Sequence, residues 1–291
     1  MQQLQYIKPK SLHEALQYLH EYAGQAKPYA GGTDLMVQLR AGERRLAETR
    51  YLIDINGLAE LHGFAMKADG TISIGAATSH SAVSQSALLQ EHAPFLCAAA
   101  SSVGSPQIRN MGTVGGNLCN GSPAADTLSP FVALGAEIEL HSLRGLRSVP
   151  APDIYIGAGK VKLAPDELAV RIHFSSAAAY NTAFVKLGRR KALAISRMNV
   201  AAALLLEEGR IADARIAPGC VFPVPGRVPM AEKLLLGQTP CAHLFFECGK
   251  AVAEEMNART GLRWSTPYKQ PVAEALVQRA LCAAAGIAEE E

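Results

Sequence analysis

The feature that most constrains this chain is a glycine-rich stretch near its middle, between residues 107 and 126. Residues 112–117 of this stretch read Gly-Thr-Val-Gly-Gly-Asn. Glycine leaves neighbouring backbone N–H groups unshielded by a Cβ, and Thr113 and Asn117 add side-chain donors, so the stretch predicts a cradle for a diphosphate. A glycine-rich connection between two packed segments is the structural alternative, because loose glycine motifs often occur without a ligand.

A second glycine-containing stretch, residues 29–35, reads Tyr-Ala-Gly-Gly-Thr-Asp-Leu. It follows a predicted short strand and leads into the apolar segment 35–39, so it predicts a strand, a turn and a helix start. The free N–H groups and the dipole at a helix start favour phosphate. Asp34 would repel a phosphate there and suits the N-cap position better. Two such cradles fit one ligand with a diphosphate in its middle.

Two better-known nucleotide motifs are excluded by their spacing. Residues 157–161 read Gly-Ala-Gly-Lys-Val, but Ile154 stands where a phosphate-binding loop needs its first glycine, and Val161 replaces the magnesium-binding Ser or Thr. Residues 112–116 do not form a Gly-x-Gly-x-x-Gly fingerprint, and we expect a loop rather than a helix after them. The sequence therefore predicts neither an ATPase nor a Rossmann dehydrogenase.

Length and composition indicate the general class of protein. The chain has 291 residues, enough for two or three compact units. Its formal net charge of +2 gives no reason to expect nucleic acid binding. The first ten residues lack the apolar region of a signal peptide, and no run approaches the roughly 18 apolar residues of a membrane span. We therefore expect a cytoplasmic protein.

Metal-binding and catalytic motifs are not found in the sequence. The six cysteines form no Cys-x-x-Cys pair, and the eight histidines show no spacing such as His-Glu-x-x-His. We therefore expect no metal or iron–sulfur cluster in this chain. No order of Ser, His and Asp supports a catalytic triad, and we assign no catalytic residue.

Hydrophobic periodicity predicts an α+β fold in three parts. Residues 1–57 are expected to form a small α/β unit, in which the capping box Ser11–Glu14 starts a helix that ends near Tyr22. Residues 58–176 are expected to form a larger α+β unit that begins with a hairpin at Asp69-Gly70. Residues 177–291 are expected to form an antiparallel sheet backed by helices. The remaining predicted elements are strands at 3–7, 51–55, 136–141, 168–174, 180–187, 199–206 and 210–217 and helices at 79–89, 94–103, 128–134, 229–236, 242–260 and 272–285.

The two glycine stretches, about 80 residues apart, resemble those of the FAD-binding medium subunit of the molybdenum hydroxylases, the relatives of xanthine and carbon monoxide dehydrogenases. In that pattern, residues 29–35 are followed by the Gly-Thr-Val-Gly-Gly-Asn run at 112–117 and then by Ser-Pro-Ala-Ala-Asp at 122–126. Residues 138–145, 157–161 and 166–168 most resemble the separate FAD subunit of bacterial xanthine dehydrogenases. The resemblance covers essentially the whole chain and implies a two-part FAD-binding domain of the PCMH type, followed by a C-terminal domain, with FAD as the cofactor.

The resemblance also implies which residues contact the cofactor. Val103 and Gly104 would lie near the flavin ring, Asp126 would make a polar contact, Leu168 would cover the ring and Lys186 would lie near it. Val103 stands where some relatives have an aromatic residue. The residues that would hold the diphosphate are Tyr29, Ala30, Gly31, Gly32, Thr33, Asp34, Leu35, Thr113, Val114, Gly115, Gly116 and Asn117.

The function that the resemblance implies is electron transfer. A molybdenum-cofactor subunit would oxidise the substrate, a 2Fe-2S iron–sulfur subunit would carry the electrons, and FAD in this chain would pass them to an acceptor such as NAD. Purines are the substrate class at family level. The alternatives are a non-redox nucleotide-binding or scaffold module and a stand-alone flavin oxidoreductase. The colour of the purified protein separates the non-redox module from the flavoproteins.

Overall fold

The computed structural model describes residues 4–288. Its N-terminal unit is a parallel three-stranded sheet with strand order β1-β3-β2 and a helix packed on it. Ser11 caps that helix by accepting from the N–H of Glu14, as the capping box predicts. The predicted first strand began at Gln3, which lies outside the described residues. The elements are β1 (Gln5–Ile7), α1 (Leu12–Glu21), β2 (Ala26–Tyr29), α2 (Leu35–Arg40) and β3 (Tyr51–Asp54).

The middle unit is a five-stranded antiparallel sheet with strand order β4-β5-β10-β6-β7, covered by helices. The helix predicted at 79–89 is divided in two, because the hydroxyl of Ser86 caps a new helix by accepting from the N–H of Leu89. The elements are β4 (Phe64–Met66), β5 (Thr71–Gly75), α3 (His80–Gln85), α4 (Ala87–His92), α5 (Pro94–Ser101), α6 (Pro106–Met111), α7 (Val114–Cys119), α8 (Leu128–Ala133), β6 (Glu137–Ser142), β7 (Gly145–Pro150), β8 (Tyr155–Gly157), β9 (Lys160–Val161) and β10 (Leu168–Ser175). Strands β8 and β9 form a separate small hairpin.

The central glycine stretch contains a helix, where the sequence led us to expect a loop. Helix α7 begins directly after Thr113, whose hydroxyl accepts from the N–H of Gly116. This cap offsets the low helix propensity of two adjacent glycines. The glycines also let the helix approach β5 closely, because a Cβ at Gly115 would lie 2.7 Å from the carbonyl oxygen of Ala76.

The C-terminal unit is an antiparallel sheet with strand order β11-β12-β13, packed against three helices. Its elements are β11 (Asn181–Gly188), β12 (Ser196–Glu207), β13 (Arg210–Gly219), α9 (Pro229–Leu235), α10 (Ala242–Thr260) and α11 (Thr266–Ala285). Helix α11 starts six residues before the predicted Val272 and includes Pro271, which removes one backbone donor without ending the helix. The predicted antiparallel sheet with helices is confirmed. Between residues 4 and 288, none of the helices combines the length and apolar character that a membrane crossing requires.

Candidate functional site

A large cavity lies between the N-terminal sheet and the middle unit, and both glycine stretches line it. Its volume is about 930 Å³, at the upper end of the roughly 300–1,000 Å³ found for cofactor and small-molecule sites. Its walls come from β2, the start of α2, α7, the hairpin β8–β9 and the start of β10. The size suits a cofactor rather than a small substrate alone.

The glycine stretch at residues 29–35 offers backbone donors to this cavity. The N–H groups of residues 32–35 have no acceptor in the part of the chain that the structure describes. Asp34 occupies the predicted N-cap position of α2, but its side chain makes no capping hydrogen bond. Gly32 has a φ of +67°, a left-handed conformation that favours glycine. Adjacent unpaired N–H groups beside a cavity are suited to bind an anion.

The N–H groups of the glycines in the central stretch, residues 112–117, are used within the protein. The N–H of Gly115 donates to the carbonyl of Ala76 at 2.8 Å, and the N–H of Gly116 donates to Thr113 Oγ1 at 3.1 Å. The expectation of free N–H groups at these glycines is therefore wrong, because α7 and its cap occupy them. Asn117 lines the cavity, and its Oδ1 accepts from Thr127 Oγ1 at 2.7 Å, so the amide NH₂ remains as a donor.

The glycines of the two stretches have different structural roles. A Cβ at Gly31 would lie 1.9 Å from the carbonyl oxygen of Met111, so this glycine lets the two stretches touch. At Gly116 a Cβ would lie within 4 Å of Thr113 Oγ1 alone among the described atoms outside its own helix backbone. Gly31 is thus required by close backbone packing, whereas a methyl group at Gly116 would meet only the Thr113 hydroxyl, at 2.9 Å, and the cavity.

Two cations, Lys27 on β2 and Arg45 after α2, belong to the same cavity wall. Burial, together with the charge of Arg45, lowers the pKa of Lys27. The Lys27 ammonium has no hydrogen-bond or ion-pair partner within residues 4–288. Arg45 donates to the carbonyl of Gly159 at 3.1 Å and to Asn120 Oδ1 at 3.4 Å, which ties it to the β8–β9 hairpin and to α7. Arg45 Nε also donates to Glu43 Oε2 at 2.9 Å, so Lys27 is the one of the two cations whose charge a bound anion would balance.

The structure brings most of the predicted site residues to the cavity. Those that line it are Ala30, Gly31, Gly32, Thr33, Asp34, Leu35, Val103, Thr113, Gly115, Gly116, Asn117 and Leu168. Tyr29, Gly104, Val114, Asp126 and Lys186 are not among the lining residues. The side chain of Val114 is fully buried in the core of the middle unit, and the ring of Tyr29 packs edge-on against Tyr6.

Asp126 and Lys186 are paired with each other. Lys186 Nζ lies 2.6 Å from Asp126 Oδ2, and both side chains are largely buried. Ser196 Oγ donates to Asp126 Oδ1 at 2.5 Å, and Lys186 Nζ also donates to the carbonyl of Ser102 at 2.9 Å. Burial raises the pKa of Asp126, although the hydrogen bonds from Lys186 and Ser196 oppose this shift. The pair therefore holds the backbone next to Val103 at the cavity edge.

Sequence reasoning missed several residues of the cavity, among them Lys27, Arg45, His80 and Asn120. Lys27 lies on β2, just before residues 29–35, and no local pattern distinguishes it from a solvated lysine. His80 is 2% exposed, and burial, followed by the charge of Arg109, lowers its pKa to about 4. Residues 157–161, rejected as a phosphate-binding loop, belong to the hairpin that closes one side of the cavity.

The described residues, 4–288, contain no group of three or more His, Cys, Asp or Glu side chains placed to hold a metal ion. The donors of the site are instead backbone N–H groups, side-chain amides and the cations Lys27, Arg45 and Lys160. This set suits the phosphates of an organic cofactor.

Comparison with known proteins identifies the family. The FAD binding domain in molybdopterin dehydrogenase matches residues 2–175, and the CO dehydrogenase flavoprotein C-terminal domain matches residues 183–284. The xanthine dehydrogenase FAD-binding subunit of Escherichia coli O157:H7 is 35% identical, over 97% of both chains. The carbon monoxide dehydrogenase medium chain of Hydrogenophaga pseudoflava is 31% identical, over 96% of both.

Solved structures agree with the sequence comparisons. The cyanide-inactivated Cu,Mo-CO dehydrogenase has a chain that superposes with a TM-score of 0.89 at 29% identity, covering 98% of this chain and 99% of that one. Quinoline 2-oxidoreductase from Pseudomonas putida 86 gives a TM-score of 0.89 at 28% identity, covering 97% of each chain. The family resemblance seen in the sequence and the FAD cofactor it implied are both confirmed. The chain belongs to the family of FAD-binding subunits of the molybdenum hydroxylases.

Proposed function

We propose that this chain is the electron-exit subunit of a xanthine dehydrogenase-like complex. Its FAD would receive electrons from a 2Fe-2S iron–sulfur subunit and pass them to an acceptor such as NAD, while a molybdenum-cofactor subunit oxidises the substrate. The observation that carries the proposal is the cavity of about 930 Å³, whose wall holds the N–H groups of residues 32–35 and the Lys27 ammonium, none of which has a partner within residues 4–288.

The residues of the cavity fit the cofactor. The N–H groups of residues 32–35 and the Lys27 ammonium would hold the diphosphate, and the Asn117 amide would donate to the same ligand. The apolar side chains of Val103, Ile108 and Leu168 form another part of the wall and suit a flavin ring. FAD, when bound, supplies the redox chemistry, and the protein positions it and sets its surroundings.

The relatives support a role inside a larger enzyme. They are named as FAD-binding subunits or medium chains of xanthine, nicotinate and carbon monoxide dehydrogenases, and this chain covers 97%, 81% and 96% of their lengths. The first of these enzymes supports purines as the substrate class. Because the cavity of this chain accounts for the flavin, the substrate pocket would belong to the molybdenum-cofactor subunit.

The test is hypoxanthine-dependent NAD reduction by the assembled three-subunit complex, before and after its FAD is removed. We expect removal of FAD to abolish NAD reduction while hypoxanthine still reduces the iron–sulfur clusters, as seen by their absorbance. Adding FAD back should restore NAD reduction. NAD reduction that survives complete loss of flavin, or hypoxanthine oxidation by this chain alone, would contradict the proposal.

A further inference from the structure

We propose that the imidazole of His80 is a cofactor-binding group, which donates a hydrogen bond from Nε2 to the diphosphate of FAD. This inference rests on the proposed function and adds to it a side chain that the glycine motifs do not indicate. Its basis is a buried ring that has no hydrogen-bond partner, in the wall of the cavity and beside the point where the two glycine stretches meet.

The backbone fixes His80 beside the central glycine stretch. The backbone N–H of His80 donates to the carbonyl of Gly112 at 3.0 Å, and the preceding residue, Ser79, pairs with Thr113 in an isolated antiparallel bridge. Ser79 also caps α3 by accepting from the N–H of Ala82. The position of the imidazole is therefore set without any hydrogen bond from the ring.

The ring of His80 has no hydrogen-bond partner within residues 4–288, although it is only 2% exposed and its Nδ1 is buried. Every other described histidine is either paired through a ring nitrogen or exposed. The paired ones are His20, His62, His92, His141 and His173, and the exposed ones are His13 and His243. A buried polar ring without a partner costs free energy, and an apolar side chain would fill a purely structural position better. His80 therefore points to a partner supplied by a ligand.

The Cδ2–Nε2 edge of the ring faces the glycine stretch at residues 29–35. A Cβ at Gly112 would lie 3.3 Å from His80 Cδ2 and 3.5 Å from Thr33 Oγ1, so both side chains border the same space next to Gly112. Nε2 is bonded to Cδ2 and, unlike Nδ1, is not buried by the protein. Thr33 is one of the residues 32–35 whose N–H groups have no acceptor in the described part of the chain. Nε2 thus belongs to the side of the ring where the diphosphate would be held.

The surroundings of His80 keep its ring neutral and select the tautomer. Burial, followed by the charge of Arg109, lowers the pKa of His80 to about 4, so at pH 7 the ring carries one proton. On Nδ1 this proton would form a buried N–H without an acceptor among residues 4–288, whereas on Nε2 it meets the cavity. The favoured tautomer therefore presents one N–H donor to a phosphate oxygen, and hydrogen bonds to a charged acceptor are stronger than neutral ones.

The experiment titrates the flavin-free chain with FAD and records two spectra of the complex. Phosphorus NMR reports on the diphosphate, and the visible absorption band reports on the flavin ring. His80→Leu removes the donor, His80→Gln can place an amide N–H near the position of Nε2, and His80→Asn places its amide nearer to that of Nδ1. His92→Leu, at a half-buried histidine outside the cavity wall, is the matched control. Urea unfolding checks the fold of each flavin-free variant.

We expect His80→Leu and His80→Asn to raise the Kd for FAD about tenfold and to shift the phosphorus resonances of the bound diphosphate, while the flavin band stays unchanged. His80→Gln should bind FAD within about threefold of wild type, and His92→Leu should bind it equally well. If the leucine variant does not fold, the difference between the glutamine and asparagine variants decides.

The outcomes separate this role of His80 from the proposed function. If wild type binds FAD and the His80 variants match it in Kd and phosphorus resonances, the role of His80 is wrong and the proposed function stands. A changed flavin band with unchanged phosphorus resonances would place His80 at the flavin ring and overturn the assignment to the diphosphate. A wild-type chain that binds no FAD would overturn the cofactor site on which both proposals rest.

Discussion

Lys186 Nζ lies 2.6 Å from Asp126 Oδ2, and this ion pair joins the C-terminal sheet to the unit that forms the cavity. Lys186 is on β11, and Asp126 lies between α7 and α8. The family resemblance implied that both residues contact the cofactor, which stays a prediction, and the structure shows that they also contact each other. They position the backbone of Ser102 beside the cavity. The C-terminal unit thereby contributes to the site without lining it.

Replacing Lys186 by Met should destabilise the protein, because it leaves the buried Asp126 carboxylate without its cation. The expected loss in the free energy of unfolding is about 3 kcal/mol. The double variant Lys186→Met/Asp126→Asn should recover part of the loss, since it removes both charges. Urea unfolding measures both variants. A single variant as stable as the double variant would show that the pair is not coupled.

Gly116→Ala should weaken FAD binding and should destabilise the flavin-free fold less than Gly31→Ala does. The new methyl group lies at the open cavity wall and contacts Thr113 Oγ1 at 2.9 Å, while alanine improves the helix propensity of α7. We expect Kd for FAD to rise by about tenfold or more, as followed by flavin fluorescence during titration of the apoprotein.

Gly31→Ala is the comparison for Gly116→Ala, and its main effect should be on the stability of the flavin-free chain. Its methyl group would overlap the carbonyl oxygen of Met111, so the flavin-free chain itself should lose on the order of 2 kcal/mol of stability or more. Equal stability of the two apoproteins would contradict the different roles assigned to these glycines.

Lys27→Met should separate cofactor binding from stability. The variant removes a half-buried cation that has no partner in the described part of the flavin-free protein, so thermal stability of the apoprotein should stay the same or rise. Affinity for FAD should fall about tenfold, because a charge-assisted contact to the diphosphate is lost. Lys67→Met, on the turn between β4 and β5, is the matched lysine control and should change neither quantity. A lower apoprotein Tm with unchanged FAD affinity would contradict the assignment.

His80 should make the protein less stable as the pH falls. Its pKa is lowered from 6.5 to about 4 in the folded protein, chiefly by burial, so the unfolded chain takes up a proton first. The stability that the neutral His80 ring contributes is fully present above pH 6.5. It is lost as the pH falls from 6.5 to about 4. The loss between pH 7 and pH 5 should be about 2 kcal/mol. Urea unfolding at both pH values should show a smaller difference for His80→Gln, whereas the exposed His13→Gln should behave like wild type.

Elements with local signals could be predicted from the sequence. The hairpin of β12 and β13 follows from the apolar runs on both sides of Glu208-Gly209, and both turn residues have positive φ, as a tight hairpin turn requires. Helix α1 follows from its capping box. In each case the residues that decide the structure are neighbours in the chain.

The parts of the site that depend on distant contacts could not be predicted in this way. Arg45 contacts Gly159 from 114 residues away, and Asp126 pairs with Lys186 across 60 residues. The N–H groups of Gly115 and Gly116 looked free in the sequence, but Ala76 and Thr113 accept from them in the fold. Residue type and spacing indicate which groups can bind a ligand, and only tertiary structure shows which of them are still available.

The most direct test of this account is to denature the purified chain, separate the released chromophore by chromatography and determine its amount per chain. The two glycine stretches, the unpaired donors at residues 32–35 and Lys27 lead us to expect one noncovalent FAD per chain. Gly116→Ala, purified in parallel, should carry less FAD at the same protein concentration. Release of FMN, a flavin that stays covalently attached to the chain, or no flavin at all would contradict it.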